Sequence, residues 1–152
     1  FRDHDRHVAP IAKKYGCKVW VPRGEGGDLA PDELFHGETR LPAGLKAVGL
    51  PAMGYGEHAL VAEAYGKRFA FIGDAVFNLE GTSVPWLVRK LAFAQKQGPL
   101  AMKRSYRGGD TKAAAGQLRQ LLDHKLDMLF LSHGAAIASD ADRRLREVLG
   151  DA

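Results

Sequence analysis

At 152 residues, with 45% hydrophobic and 26% charged positions, the chain has the size and make-up of one ordinary globular domain, residues 1–152. No apolar run approaches the roughly 20 residues needed to cross a bilayer, and no basic, apolar leader is evident, so a cytoplasmic protein with no membrane partner is expected. One cysteine, Cys17, cannot form an internal disulfide, and the net charge of +4 is too small by itself to imply a polyanionic partner.

The first residues, Phe1-Arg2-Asp3-His4, already read as part of a motif, and the chain is expected to continue upstream. His7 to Tyr15 carries Val8, Ile11 and Ala12 at helical spacing, with Gly16 as a C-terminal stop. Cys17 to Val21 alternates like a strand ended by Pro22, which makes Cys17 a small core residue. Residues 23–37 are rich in Gly, Pro and acids and read as a loop. Leu45 to Leu50 is a predicted strand broken by Pro51. His58 to Tyr65 and Arg68 to Ile72 are two more, joined as a hairpin at Gly66-Lys67.

Val84 to Gln97 has Trp86, Leu87, Leu91 and Ala94 spaced for an amphipathic helix packed on the body. Residues 98–110 read as an irregular linker. From 89 to 112 the charges are Arg89, Lys90, Lys96, Lys103, Arg104, Arg107 and Lys112 against Asp110 alone. This is either a solvated face or an attractor of an anionic substrate or nucleic acid. Asp110 or Thr111 can cap a helix running to about His124 with Leu118, Leu121 and Leu122 buried. Met128 to Leu131 is a wholly apolar buried strand. Ser139 or Asp140 then caps a last helix carrying Leu145, Val148 and Leu149, with Gly150 beyond it.

Four segments stand at the ends of these elements, where functional loops are mounted. They are Asp3-His4, Pro51 to Glu57, Gly73-Asp74 and Ser132-His133-Gly134. Each alone is as well read as a turn or a cap. Their order and spacing together resemble the metallo-β-lactamase superfamily, whose hydrolases carry His-x-His-x-Asp-His, Pro-Gly-His, Gly-Asp after a strand, and a late His-Gly. Asp3-His4 matches the end of the first motif, Pro51 to Gly56 the second, Gly73-Asp74 the bridging aspartate and His133 the last histidine. The resemblance spans nearly the whole chain apart from an insert at about 75–109.

Two positions depart from the family pattern. Phe1 stands at the second histidine of the first motif, and Met53 at the histidine of the Pro-Gly-His loop. A thioether is poorly suited to an imidazole's place on zinc beside carboxylates. A register using His4 and His7 as motif histidines puts Arg6 at the aspartate and shortens the helix. The resemblance therefore implies that one metal site is lost and the other retained, with Asp3, His4, Asp74 and His133 as ligands. One divalent metal, zinc, iron or manganese, would activate water, with Asp74 orienting it or taking its proton. His7, one turn after His4, and Glu57, near Met53, are candidates to support that shell. Glu57 reads more readily as a satisfied loop carboxylate, and His58 as a strand histidine in the core or on a solvent face. His36 and His124 have no partner in view.

The fold implied is α/β, a metallo-β-lactamase-type αββα sandwich lacking its N-terminal strands, so that upstream residues or another chain would cover the sheet. The function implied is a single-metal hydrolase of a small ester, thioester or lactone, its substrate anionic if the basic residues face the site. The alternative is a metal-free binding or interaction module. Nucleic-acid processing ranks third, because stacking aromatics and a continuous basic stripe are lacking. Trp86, Phe93 and Tyr106 would pack the insert on the body, line a pocket, or make a homo-oligomer interface.

Overall fold

The computed structural model of the chain describes residues 7–24, 29–37, 39–54, 56–94, 99–104 and 109–150. Among the described residues it is a mixed α/β arrangement of three small sheets and four α-helices. Asp3, His4, Lys96, Tyr106 and Arg107 lie outside the described residues.

The central sheet has the order β3 (Lys46–Gly49), β4 (His58–Ala64), β5 (Lys67–Ile72), β8 (Met128–Leu131). The expected hairpin is present, but its turn is Tyr65-Gly66, not Gly66-Lys67. Ala64 pairs with Lys67, and both turn residues have positive φ, 52° and 68°, the conformation that a tight two-residue hairpin demands. β8 joins β5 in parallel, Ile72 opposite Leu131. Its outer edge is covered by a bridge in which Leu129 and Ile137 exchange both backbone hydrogen bonds at 2.9 Å.

Alternation along these strands sorts the two faces. Ala59, Val61, Ala70, Ile72 and Leu129 point inward and pack with Leu118 and Leu121 of α3 (Thr111–Arg119) and its 3₁₀ extension. They also meet Leu145 and Val148 of α4 (Ala141–Leu149). The other face carries Phe69, Phe71 and Phe130, with Phe71 stacked on Phe130 at 5.1 Å.

α3 begins where Asp110 accepts hydrogen bonds from the amides of Lys112 and Ala113, the cap the sequence foretells. At α4 the expected cap is not made. Asp140 stands at the N-cap with φ 55° and no side-chain bond to the helix amides, and its carboxylate faces Arg143 at 3.5 Å instead. Gly150 closes the helix in the left-handed region as expected.

Three sequence expectations need correction. The first strand, β1 (Trp20–Pro22), begins later than expected, and Cys17 is exposed, not part of the core. The loop at 23–37 contains β2 (Glu33–Phe35), which pairs in parallel with β1. The linker at 98–110 contains β7 (Leu100–Met102), all three residues buried, paired with β6 (Val76–Asn78). Short strands of this kind carry too few residues to display a period.

Candidate functional site

Parallel strands β5 and β8 deliver their C-terminal ends side by side. Past the last pair, Ile72 and Leu131, the amide of Ser132 still donates to the Ile72 carbonyl at 3.1 Å. Gly73-Asp74 and Ser132-His133 therefore leave the sheet together. Asp74 is buried, 4% exposed. Its Oδ1 accepts from Ser132 Oγ at 3.0 Å and lies 3.1 Å from His133 Nε2.

The remaining oxygen, Oδ2, is met at 3.1 Å by Nζ of Lys103. The pairing of β6 with β7 brings that lysine in, and its own amide donates to the Ala75 carbonyl at 3.0 Å. Phe77 of β6 lies against both His133 and Lys103. The His133 ring stacks on it at 4.3 Å, and Lys103 Nζ stands 5.6 Å from its centroid.

The His133 loop is pinned by β6. Asn78 takes the His133 carbonyl with its amide at 3.0 Å and the Ala135 carbonyl with its side chain at 3.0 Å. Gly134 has φ 89°, and a Cβ there would run into the Asn78 carbonyl, so only glycine fits this crossing. Ser132, His133 and Asp74 do not form a nucleophile relay. The serine hydroxyl donates to the oxygen that the imidazole also faces, leaving no Ser–His bond to activate it.

Glu57 is the second buried acid, 1% exposed. Its carboxylate packs against the backbone of Gly73, where a Cβ would overlap Oε1. Neither oxygen has a hydrogen-bond partner among the described residues, which corrects the expectation of a satisfied loop carboxylate. Burial pushes its pKa up to about 7, and the negative charge of Asp74 adds to the rise; the amides of Asp74 and Ala75 pull the other way without being placed to make full hydrogen bonds.

Of the expected ligands, Asp74 and His133 are brought together. Asp3 and His4 lie outside the described residues. His7 is exposed at the start of α1 (Val8–Tyr15), a helix with no buried residue. Met53 is fully buried in the apolar core beside Leu50. His58 behaves as a structural strand histidine, Nδ1 2.7 Å from the Gly56 carbonyl and its ring edge-on to Phe35. Among the described residues no group of three or more His, Cys, Asp or Glu is placed to hold a metal ion.

The sequence shows Lys103 only as one of a run of basic residues and gives no signal at Phe77. Only the β6–β7 pairing reveals them. A hollow of about 330 Å³ adjoins the cluster, floored by Phe71 and Phe130 and bounded by His58, Gly73 and Ser132. A larger hollow, about 620 Å³, lies between Arg40, Val48 and His124.

No family model matches the chain, and no curated protein matches it. Among solved structures it is similar to the one described as "Crystal structure of TTHA1623 in a di-iron-bound form", with a TM-score of 0.57 and 19% identity. The chain shares the fold of TTHA1623. The match covers 88% of this chain and 66% of that one, so this chain spans just under two thirds of TTHA1623.

The described residues offer a divalent cation Asp74 and His133, but Asp74 Oδ2 already faces an ammonium group at 3.1 Å. A dication beside Asp74 would be repelled by that ammonium at short range. Among the described residues, Asp74 and His133 with Lys103 against Oδ2 do not by themselves fit a resident metal.

Proposed function

We propose that the chain is a metal-free relative of the metallo-β-lactamase scaffold that binds a small molecule. In this reading the central sheet under α3 and α4 is one half of an αββα sandwich, and the β1–β2 and β6–β7 pairs belong with the other. The observation that carries it is the Lys103–Asp74 ion pair. It supplies from within the protein the positive charge that the buried aspartate needs, where the family would use a metal. Met53 supports it, because its side chain is fully buried in the same apolar core as Leu50. The hollow over Phe71 and Phe130 suits a ligand with a planar or apolar part.

Elemental analysis and calorimetric titration test this directly. Purified protein should hold well under one equivalent of zinc, iron or manganese and give no binding heat with any of them. One tightly bound equivalent, lost in Asp74→Ala and His133→Ala, would overturn it.

A second reading, the single-metal hydrolase of esters, thioesters or lactones, draws on the 3.1 Å approach of His133 Nε2 to Asp74 Oδ1 and on the fold shared with a di-iron-bound protein. Hydrolysis that depends on added metal and disappears in Asp74→Ala would establish it.

A further inference from the structure

The insert between β6 and β7 contains α2 (Trp86–Ala92), which is shorter than the helix expected over 84–97 and is turned outward. It buries none of its seven residues. Trp86 is 72% exposed, Leu87 51%, Val88 47% and Leu91 66%. The expectation that this stripe packs on the body is overturned for Trp86, Leu87 and Leu91, while Ala94, beyond the helix, packs against the core. At about 100° per residue, Trp86, Lys90, Leu87, Leu91 and Val88 follow one another around an arc of about 200°, while Arg89 and Ala92 turn toward the protein. Lys90 stands inside the apolar arc, its Nζ 5.8 Å from the Trp86 ring centroid.

The charge on this insert is of one sign. Residues 81–109 contain no Asp or Glu. Arg104, exposed, is tied to the end of the helix by its amide, which donates to the Ala92 carbonyl at 2.8 Å. We infer that α2 is an interfacial helix that seats the protein on an anionic lipid surface, with Trp86, Leu87, Val88 and Leu91 entering the headgroup boundary and Lys90 and Arg104 meeting lipid phosphates.

Three features select this occupant. A second copy of the chain would bring like charges face to face across the same helix. A protein groove takes a helix by a narrow stripe at i, i+3, i+4 and i+7, and this arc is too broad and too short for that. A planar apolar–polar boundary accepts a broad arc, places tryptophan at headgroup level and lets a lysine stem reach up to the phosphates. The expectation of no membrane partner rests on crossing length alone. No helix among the described residues is long and apolar enough to cross a membrane, and a helix lying in the interface needs no such length.

The test is sedimentation of the full chain with phosphatidylcholine vesicles, with and without phosphatidylglycerol, at low ionic strength. The protein should pellet with the anionic vesicles and stay in solution with the neutral ones. Lys90→Gln with Arg104→Gln should weaken binding about 30-fold, at about five-fold for each cation removed near an anionic surface. Trp86→Ser with Leu91→Ser should abolish pelleting while leaving the circular dichroism spectrum unchanged, because both side chains are exposed. No pelleting with anionic vesicles would overturn the inference, as would pelleting that survives Trp86→Ser with Leu91→Ser. A dimer in sedimentation velocity that those two substitutions dissolve would assign the face to a second copy instead. Retention on a polyanion such as heparin equal to that on vesicles and indifferent to Trp86 and Leu91 would also overturn it, since a nucleic acid reads the charges without the apolar arc.

Discussion

The Lys103 ammonium lies 3.1 Å from Asp74 Oδ2, with the aspartate side chain only 6% exposed and the lysine 22% exposed. Removing one partner of such a pair strands the other charge in a poorly hydrated place. Lys103→Met should destabilise the fold by about 3 kcal/mol, toward the lower end for a buried pair because the lysine is partly hydrated. Adding Asp74→Asn should return part of that loss. Urea unfolding of the four members of this cycle measures the coupling; a lysine that merely brushed the aspartate would give additive values.

Met53 is fully buried among apolar neighbours. Met53→His should therefore cost about 2 kcal/mol, the penalty for burying a polar ring without partners, and should create no zinc site. Met53→Leu, nearly equal in volume, should cost less than about 1.5 kcal/mol. Unfolding midpoints and zinc titration check both variants. Zinc bound tightly by Met53→His would mean that position 53 faces the Asp74 cluster, against the packing described.

What the sequence made legible follows from how each signal is encoded. The central strands are legible because four to seven residues suffice to show alternation or, in β8, an unbroken apolar run. Gly73-Asp74 and Ser132-His133 are visible in the sequence as strand-end motifs, and parallel pairing of β5 with β8 brings them side by side. Three-residue strands such as β2 and β7 show no period, so Lys103 had no visible route to Asp74. The periodicity of Trp86, Leu87 and Leu91 correctly indicated a helix but not which way it faces, since an apolar stripe looks the same whether it meets the body or something else. The Asp140 cap failed for a different reason. Its backbone is left-handed, which carries the carboxylate away from the helix amides.

Two glycines hold the site open, and they should respond differently to alanine. At Gly73 the obstacle is the Glu57 carboxylate, the end of a side chain, although one with little room to retreat. At Gly134 the obstacle is the Asn78 carbonyl, which is backbone, and φ is 89°. Gly73→Ala should cost about 1–3 kcal/mol by overpacking and be largely rescued by Glu57→Ala. Gly134→Ala should cost more, adding backbone strain of about 1–3 kcal/mol to the clash, with no side-chain rescue. Thermal unfolding of the two single variants and the Gly73→Ala/Glu57→Ala double variant separates these outcomes. Equal losses at both glycines would contradict the distinction.

Glu57 gives the fold a pH dependence whose sign is fixed by its environment. Its pKa rises on folding from 4.5 to about 7, chiefly through burial. Below about pH 4.5 both folded and unfolded chains hold the proton, and this group costs nothing. Between about pH 4.5 and 7 the unfolded chain releases the proton while the folded chain keeps it, so stability falls as pH rises, and above about pH 7 the loss is complete. The total is at most about 3 kcal/mol. Glu57→Gln keeps the shape and removes the titration, so its urea midpoint should change less between pH 5 and pH 8 than that of the parent chain, and should exceed it at pH 8. The same slope in both proteins would show that the carboxyl ionises in the folded chain as readily as in water, which its burial against Gly73 without a hydrogen-bond partner does not allow.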